Sequence, residues 1–567
     1  MSCPPEDELR ELIGREEQKI VETFPRERRL GLMEVARAMD FHWVRGHLGL
    51  LEATELEENL PEFGLNKALD LLLDESSRGP MFPLMSSTKE KQAWADSVLF
   101  RLGALGRCEA LLEMARLGLG GFEKSGPRQY DFIYTKKPIG LEGLEKADAD
   151  WYQGQVRRQQ ATRFMELEHR SQRVWSLMSR LVDTWYGHYI QYDADPEIDG
   201  FYLEKGILYG QGFFGQDSFA WDSSFGGQQF GSFVKAAGFL IGLALKHMDF
   251  CLLLLRKNSA LEPRNLLTIP QDWDVMCSTV ALASGESEAV AEQILSVLIL
   301  SMDNKKAHCG VPGNFVAPAF IQCGDGRVIK PIWGCLSHPF QTMLEGLRMQ
   351  YPLDWDRAVE RREVLFREEL YGLFPGPRFF KVGTSIRLRR SGALITDIDA
   401  IVFDRKEGVL GLFQLKWQDF FRYSLRSRES KKLNFNKNAN KWVARVSEWL
   451  AEQRTGNALG ALGISSRDIL GVRRILLFVV GRNAAHFSGE GSLDARAAWG
   501  TWYKVLRIVA EELDGVVSLS GLFDKMISLS PLNQEVRTAA AELRIGDTVI
   551  TLEGIERVPS DVGSTLG

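Results

Sequence analysis

LITDIDAIVFDRKEGVLGLFQLKW, running from Leu394 to Trp417, is the stretch on which the reading of the chain turns. Two apolar runs, Leu394–Asp404 and Val409–Trp417, are rich in Ile, Val, Leu and Phe and are suited to strands. Between them, Arg405-Lys406-Glu407-Gly408 reads as a tight turn, with Gly408 free to take the positive φ that closes such hairpins. Pairing Asp404 with Val409 makes opposed positions sum to 813. Asp399 then faces Gln414, and Asp397 faces Lys416. Strand residues two apart share a face, so all four converge on one patch with cross-strand Cβ atoms ~4.5–5.5 Å apart. That face also carries Ile395, Ile401, Phe403 and Leu412. Two carboxylates among apolar side chains repel each other and need a cation, and a divalent metal is the economical one.

A helix is predicted at Trp355–Phe374 and a strand at Arg378–Leu388, before the hairpin. A helix at Asn438–Gln453 and a strand at Arg473–Gly481 follow it. On Asp399 and Gln414-Leu415-Lys416, and on this αβββαβ order, residues 352–485 resemble the PD-(D/E)xK, or restriction-endonuclease-like, nuclease superfamily. The QxK variant is similar to the Mrr-like branch. Ile398 stands where the family's pattern has Pro.

The resemblance implies an α/β core with a mixed central sheet and hydrolysis of phosphodiester bonds with Mg²⁺ or Mn²⁺. Asp399 and the side-chain oxygen of Gln414 would hold the metal, with the Leu415 carbonyl as a further ligand. Lys416 would position or deprotonate the attacking water. Gln414 brings one negative charge fewer than the usual carboxylate. Asp397 or Glu363 would restore it, or Asp397 would simply hold Lys416. In the preceding helix Val359, Phe366, Leu370 and Leu373 form the expected apolar stripe. Glu363 falls inside it, either reaching the site or snorkelling to the stripe's edge, and Glu368 points away.

Past the QLK strand, Arg422–Arg445 carries eight Lys or Arg against one Glu. Phosphate backbones are bound by such local positive charge. Arg422, Arg426, Arg428, Lys431, Lys432, Lys437 and Lys441 are the candidate contacts, the alternative being a solvated helix face. The net charge of the whole chain is −6, so a nucleic-acid surface must be local.

At 567 residues several domains are expected. Residues 1–200 read as mostly α-helical, with helices at Glu6–Thr23, Lys89–Arg116 and Ala149–Trp185. Residues 201–350 form a Gly- and aromatic-rich, partly helical middle. Its Gly210-Gln-Gly212-Phe-Phe-Gly215 matches GxGxxG, but the dinucleotide fingerprint needs a strand before it and a helix opening at the third Gly, and the GQDSFAWDSSFGGQQF that follows cannot open a helix convincingly, so an aromatic, Gly-rich loop or hairpin set is expected. The nuclease-like domain covers 352–485. Residues 486–567 read as a helical tail, with helices at Leu493–Leu513 and Glu535–Leu543, packed on the nuclease core.

The seven cysteines show no paired framework, as in reduced intracellular proteins. Of His308, Cys309, Cys323, Cys335 and His338, only Cys335 and His338 have ligand spacing, so a structural zinc is not expected. The N-terminus lacks a signal peptide's character. The apolar run Ala236–Leu255 holds Lys246, His247 and Asp249 near its middle and reads as a buried helix rather than a membrane span. A cytoplasmic location without membrane attachment is expected. The expected function is a Mg²⁺-dependent DNA endonuclease, with RNA still open as a substrate. Its helical N-terminal region would serve self-assembly or a partner protein, as in a restriction or host-defence effector. The alternative is a catalytically inactive nuclease-like fold acting as a nucleic-acid-binding, scaffold or sensor protein.

Overall fold

In the computed structural model, residues 4–47, 55–80, 84–134, 141–309, 317–337, 339–418, 425–453, 455–487, 492–513, 517–533 and 537–557 are described. The hairpin forms in the expected register, with Ala400 opposite Phe413, Ile401 opposite Leu412 and Asp404 opposite Val409. Gly408 takes φ 71° in the turn. Asp404, fully buried, caps that turn by accepting the Lys406 N–H at 3.0 Å and is held by the Arg378 guanidinium at 2.8 and 2.5 Å.

The elements of this region are α1 (Pro352–Gly372), β1 (Phe379–Lys381), β2 (Ile386–Arg390), β3 (Ala393–Ile398), β4 (Ala400–Asp404), β5 (Val409–Lys416), α2 (Leu425–Glu452), β6 (Arg474–Gly481), β7 (Ala497–Thr501), α3 (Trp502–Arg507) and α4 (Leu519–Ser528). Five strands make one mixed sheet in the order β1-β4-β5-β6-β7. The first three run antiparallel, whereas β5, β6 and β7 are parallel. Parallel neighbours need a crossover, and α2 supplies it between β5 and β6. Both central strands are buried on both sides, which explains their continuous apolar character. On one face Val402, Phe413 and Phe478 pack with Phe366 and Leu370 of α1, the rings of Phe413 and Phe478 stacking at 4.5 Å. On the other, Ile401, Leu412 and Val479 meet Phe435, Trp442, Val443 and Trp449 of α2.

The run Leu394–Asp404, expected as a single strand, divides at Asp399. Its first half, β3, leaves the sheet to pair with β2 as a separate ribbon. Three side chains of α2 stitch that ribbon down. Trp442 donates to the Asp397 carbonyl at 2.6 Å, Arg445 to Ile395 at 2.7 Å and Trp449 to Arg389 at 3.2 Å.

Other expectations need correction. The sheet continues past residue 485, because Ala497–Thr501, expected as helix, is a buried strand that opens into α3. Glu535–Leu543 is not helical where it is described. Arg537–Ile545 pairs with Thr548–Arg557, which in turn lies parallel to Gln129–Ile133 of the N-terminal region. That part of the tail therefore packs with the N-terminal core and not on the core around β5 and β6. The N-terminal 200 residues are mostly helical but include the hairpin Gly121–Gly126 and Gln129–Ile133. The helix expected at Lys89–Arg116 has those bounds, whereas Ala149–Trp185 resolves into Leu141–Gln159, Ala161–Leu181 and the strand Val182–Trp185.

Of the Gly- and Phe-rich segment, residues through Gly210 end the helix Pro196–Gly210. Turns and a two-residue-strand hairpin follow. Phe230–Lys257 is the one helix among the described residues long and apolar enough to cross a membrane, and 72% of its most apolar stretch is buried inside the protein. Its polar groups have internal partners. Tyr202 donates to Asp249 at 2.5 Å, Lys246 pairs with Asp199 at 2.6 Å, and His247 Nε2 lies 3.0 Å from the Leu266 and Leu267 carbonyls.

Candidate active site

Asp399 sits at the break between β3 and β4 and is 1% exposed. Its main-chain N–H still reaches across to the Phe413 carbonyl at 3.1 Å, and its own carbonyl accepts from Arg367 at 3.0 Å. The backbone is therefore held from both sides, by β5 and by α1. Oδ2 accepts the Leu415 N–H at 2.7 Å and a hydrogen bond from the Gln414 amide Nε2. Oδ1 is buried with no hydrogen-bond partner. A carboxylate oxygen in that position is costly unless something fills its lone pairs.

Burial pushes the Asp399 carboxyl up from 3.8 to about 6. Lys416 and the Leu415 N–H work against the rise, while the charges of Asp397 and Glu363 add to it. Lys416 is half-buried at the end of β5 and makes no ion pair with a described residue. Its main-chain carbonyl accepts from the Arg482 N–H at 2.8 Å, which ties the end of β5 to the end of β6. The expected pairing of Asp399 with Gln414 is present. Gln414 is buried beside it at 3% exposure.

Asp397 is placed differently from the expectation. Where the chain breaks at Asp399, the strand alternation slips. Ile398 and Ile401 both face α2, and Asp397 turns to solvent opposite Arg387 rather than Lys416. The break also lets Asp399 keep its place beside Gln414 while β3 departs.

The face of α1 needs correction too. Its buried residues are Trp355, Ala358, Arg362, Phe366, Arg367 and Leu370. Val359 is 37% exposed, and Glu363 is exposed at the edge of the stripe. Two arginines take positions that hydrophobic periodicity assigns to apolar residues. Arg367 holds the Asp399 carbonyl, and Arg362 lies 4.0 Å over the Phe219 ring.

Beside Trp417, a cleft of about 150 Å³ is lined by Asp217, Ser427, Lys431, Arg482 and Tyr503. Arg482 packs 4.5 Å over the Trp417 ring and pairs with Asp217 at 2.6 Å and with Glu369. Its position just after β6 was the available signal, because ligands in parallel sheets gather at the carboxyl ends of strands.

From Leu425 onward the basic segment lies in one helix, α2, where a helix is expected only from Asn438. Arg426 is exposed and 3.9 Å from Glu113, and Lys437 and Lys441 are exposed one turn apart. Lys431 lines the cleft. Arg428 and Lys432 are buried, 3.1 and 3.5 Å from Glu429. A phosphate-binding role does not suit those two as placed. Arg422 lies outside the described residues.

Among the described residues no three His, Cys, Asp or Glu side chains converge in a way that could hold a metal by themselves. The donors that fit a hard cation here are the orphaned Asp399 Oδ1, the Gln414 side-chain oxygen and main-chain carbonyls, a set that leaves room for the waters Mg²⁺ prefers to keep. Elsewhere, Cys309, Cys323 and Cys335 are each buried, and burial pushes the last two thiols up to about 12. His308 Nδ1 lies 3.3 Å from Glu345, and His338 lies outside the described residues. No family model, curated protein or solved structure matches the chain.

Proposed function

We propose that the chain is a metal-dependent DNA endonuclease with a restriction-endonuclease-like core, in which Asp399, Gln414 and Lys416 do the chemistry. The observation that carries this reading is the buried Asp399 carboxylate, with one oxygen unpartnered, beside a half-buried lysine that has no ion pair among the described residues. The helix, mixed sheet and crossover around it are consistent with that core.

Mg²⁺ or Mn²⁺ would be held by Asp399 Oδ1 and the Gln414 side-chain oxygen, with the Leu415 carbonyl and water completing the shell. A metal bound there supplies Lewis-acid polarisation of a phosphate oxygen and a more acidic water. Lys416 holds or removes a proton of the attacking water and balances charge on the phosphate. Asp397 or Glu363, whose charges act on the Asp399 carboxyl, supplies the negative charge that Gln414 lacks. Arg426, Lys437 and Lys441 bear on the phosphate backbone. Residues outside the core serve assembly or control of the cut, as suits a restriction or defence effector.

A second reading is favoured by one specific contact. The Gln414 amide donates to Asp399, so the pair is partly satisfied without a cation. That suits a nuclease-like fold that binds nucleic acid without cutting it. Incubating the purified chain with supercoiled plasmid and with RNA, in Mg²⁺, Mn²⁺ or chelator, separates the two. Metal-dependent nicking that Asp399→Ala abolishes supports the enzyme. Binding without cutting in every metal leaves the second reading standing.

A further inference from the structure

Far along the chain from Asp399, a cleft of about 290 Å³ opens between the helix Phe230–Lys257, the strand Pro270–Asp272 and the helix Trp273–Ser284. Lys330 reaches it from the end of the strand Arg327–Ile329, which pairs with Pro270–Asp272. It is only 8% exposed, yet its side chain makes no hydrogen bond or ion pair with a described residue. That is unusual for lysine, which is almost never so little exposed unless it is paired.

The neighbours do not neutralise it. Lys246, also on the cleft wall, is paired with Asp199 at 2.6 Å. Asp272 on the wall is paired with Arg327 at 2.8 Å. His247 lies behind Tyr192, with its Nδ1 3.0 Å from the Tyr192 hydroxyl and its Nε2 against two carbonyls. Nε2 therefore carries a proton. Burial lowers the His247 pKa to about 4, which keeps the ring neutral. The Cys335 thiol near Lys330 is pushed up to about 12 by burial and stays uncharged. Burial also lowers the Lys330 pKa, with Lys246 adding to the effect and Cys335 opposing it. The cleft thus holds an amine whose nearest carboxylates are paired elsewhere, flanked by Gln271 and Thr279 as neutral hydrogen-bonding groups and by Met276 as apolar wall.

We infer that this cleft is a binding site for a small organic anion, whose carboxylate or phosphate pairs with Lys330 while its carbon body packs on Met276. Such a ligand supplies the partner that Lys330 lacks among the described residues. The site is independent of the Asp399 centre and of the nuclease reading.

Hexanoate and phenyl phosphate are suitable probes, titrated calorimetrically into the full chain. In parallel, acetylation of each lysine by an activated ester is followed by peptide mass spectrometry with and without each probe. One-site binding of at least one probe is expected, with Lys330 acetylation slowed while other lysines are unaffected. The probe that binds identifies the headgroup. Lys330→Met should weaken binding at least about tenfold, the scale of one hydrogen bond to a charged group. Lys330→Arg should retain most of it. The assignment is overturned if neither probe shows saturable binding up to roughly 10 mM, a barely millimolar affinity being no site. It is equally overturned if Lys330→Met binds as well as the wild type. The labelling arm uses wild-type protein, so it decides the matter even if a variant fails to fold.

Discussion

The main-chain N–H of Leu415 donates to Asp399 Oδ2 at 2.7 Å from across the hairpin. The acid is thus fixed by backbone as well as by the side chain of Gln414, and only one of its oxygens is used. Burial of this carboxyl contributes to how the protein's stability responds to pH. Because the carboxyl is harder to ionise in the folded chain, its burial opposes folding where both states are ionised, above about pH 6. The penalty vanishes below about pH 4, where both states are protonated. Asp399→Asn should therefore be more stable than the wild type at pH 8, by up to about 2–3 kcal/mol. Melting curves from pH 4 to 8 should converge at the acid end. Parallel curves would rule this out.

Mg²⁺ should act on the same term. If it occupies the Asp399 oxygen, wild-type melting should rise with Mg²⁺ at pH 8 and rise less at pH 5, where protons compete for the oxygen. Asp399→Asn should lose most of the effect. A Mg²⁺ shift of equal size in both proteins would place the ion elsewhere.

Gln414→Glu replaces a donor to Asp399 with a second carboxylate in a buried position. Without metal the two acids repel, and the variant should lose about 1–3 kcal/mol at pH 8. With Mg²⁺ the loss should shrink and nicking should persist, since a carboxylate is the better ligand for a hard cation. Differential scanning calorimetry with and without Mg²⁺ tests this. A loss that metal does not recover would mean Gln414 is there for its amide alone.

Lys416→Ala should leave metal and DNA binding in place and lower the cleavage rate by ~10²–10⁴, the usual worth of general acid–base help. Single-turnover nicking, with binding measured separately, distinguishes this from a folding defect.

On α2, Lys437→Ala and Lys441→Ala should each flatten the dependence of log K on log salt by about one unit for duplex DNA. Lys432→Ala should behave differently. It is buried against Glu429, so removing it should lower the melting temperature and leave the salt slope unchanged. Equal effects from all three would contradict the placement of these side chains.

How far the sequence reaches is clearest at Asp399. Alternation along two apolar runs and one turn glycine were enough for the register, and with it the pairing of Asp399 with Gln414. The break at Asp399 was not legible, because Ile398-Asp399-Ala400 continues an acceptable strand pattern. Only the alternative partner β2 and the side chains of α2 draw β3 away, and those are tertiary contacts. Periodicity failed on α1 for a related reason. Arg362 and Arg367 are buried by ring faces and a carbonyl, which a hydrophobicity pattern counts as solvent-facing. The run Arg537–Ile545 contains three consecutive alanines and favours helix locally, but the neighbouring strand Thr548–Arg557 overrides that preference.

The strand Thr548–Arg557 has a consequence for how the chain is made. It lies against Gln129–Ile133, with Val549 opposite Gln129, so the two partners leave the ribosome 420 residues apart (549 minus 129). While those 420 residues are made, one edge of the N-terminal hairpin has no mate. At ~5–20 residues per second that wait lasts roughly 20–80 s. The earlier-made hairpin thus completes its sheet only after the later strand emerges, and a nascent chain stopped before residue 548 carries an open strand edge at Gln129–Ile133.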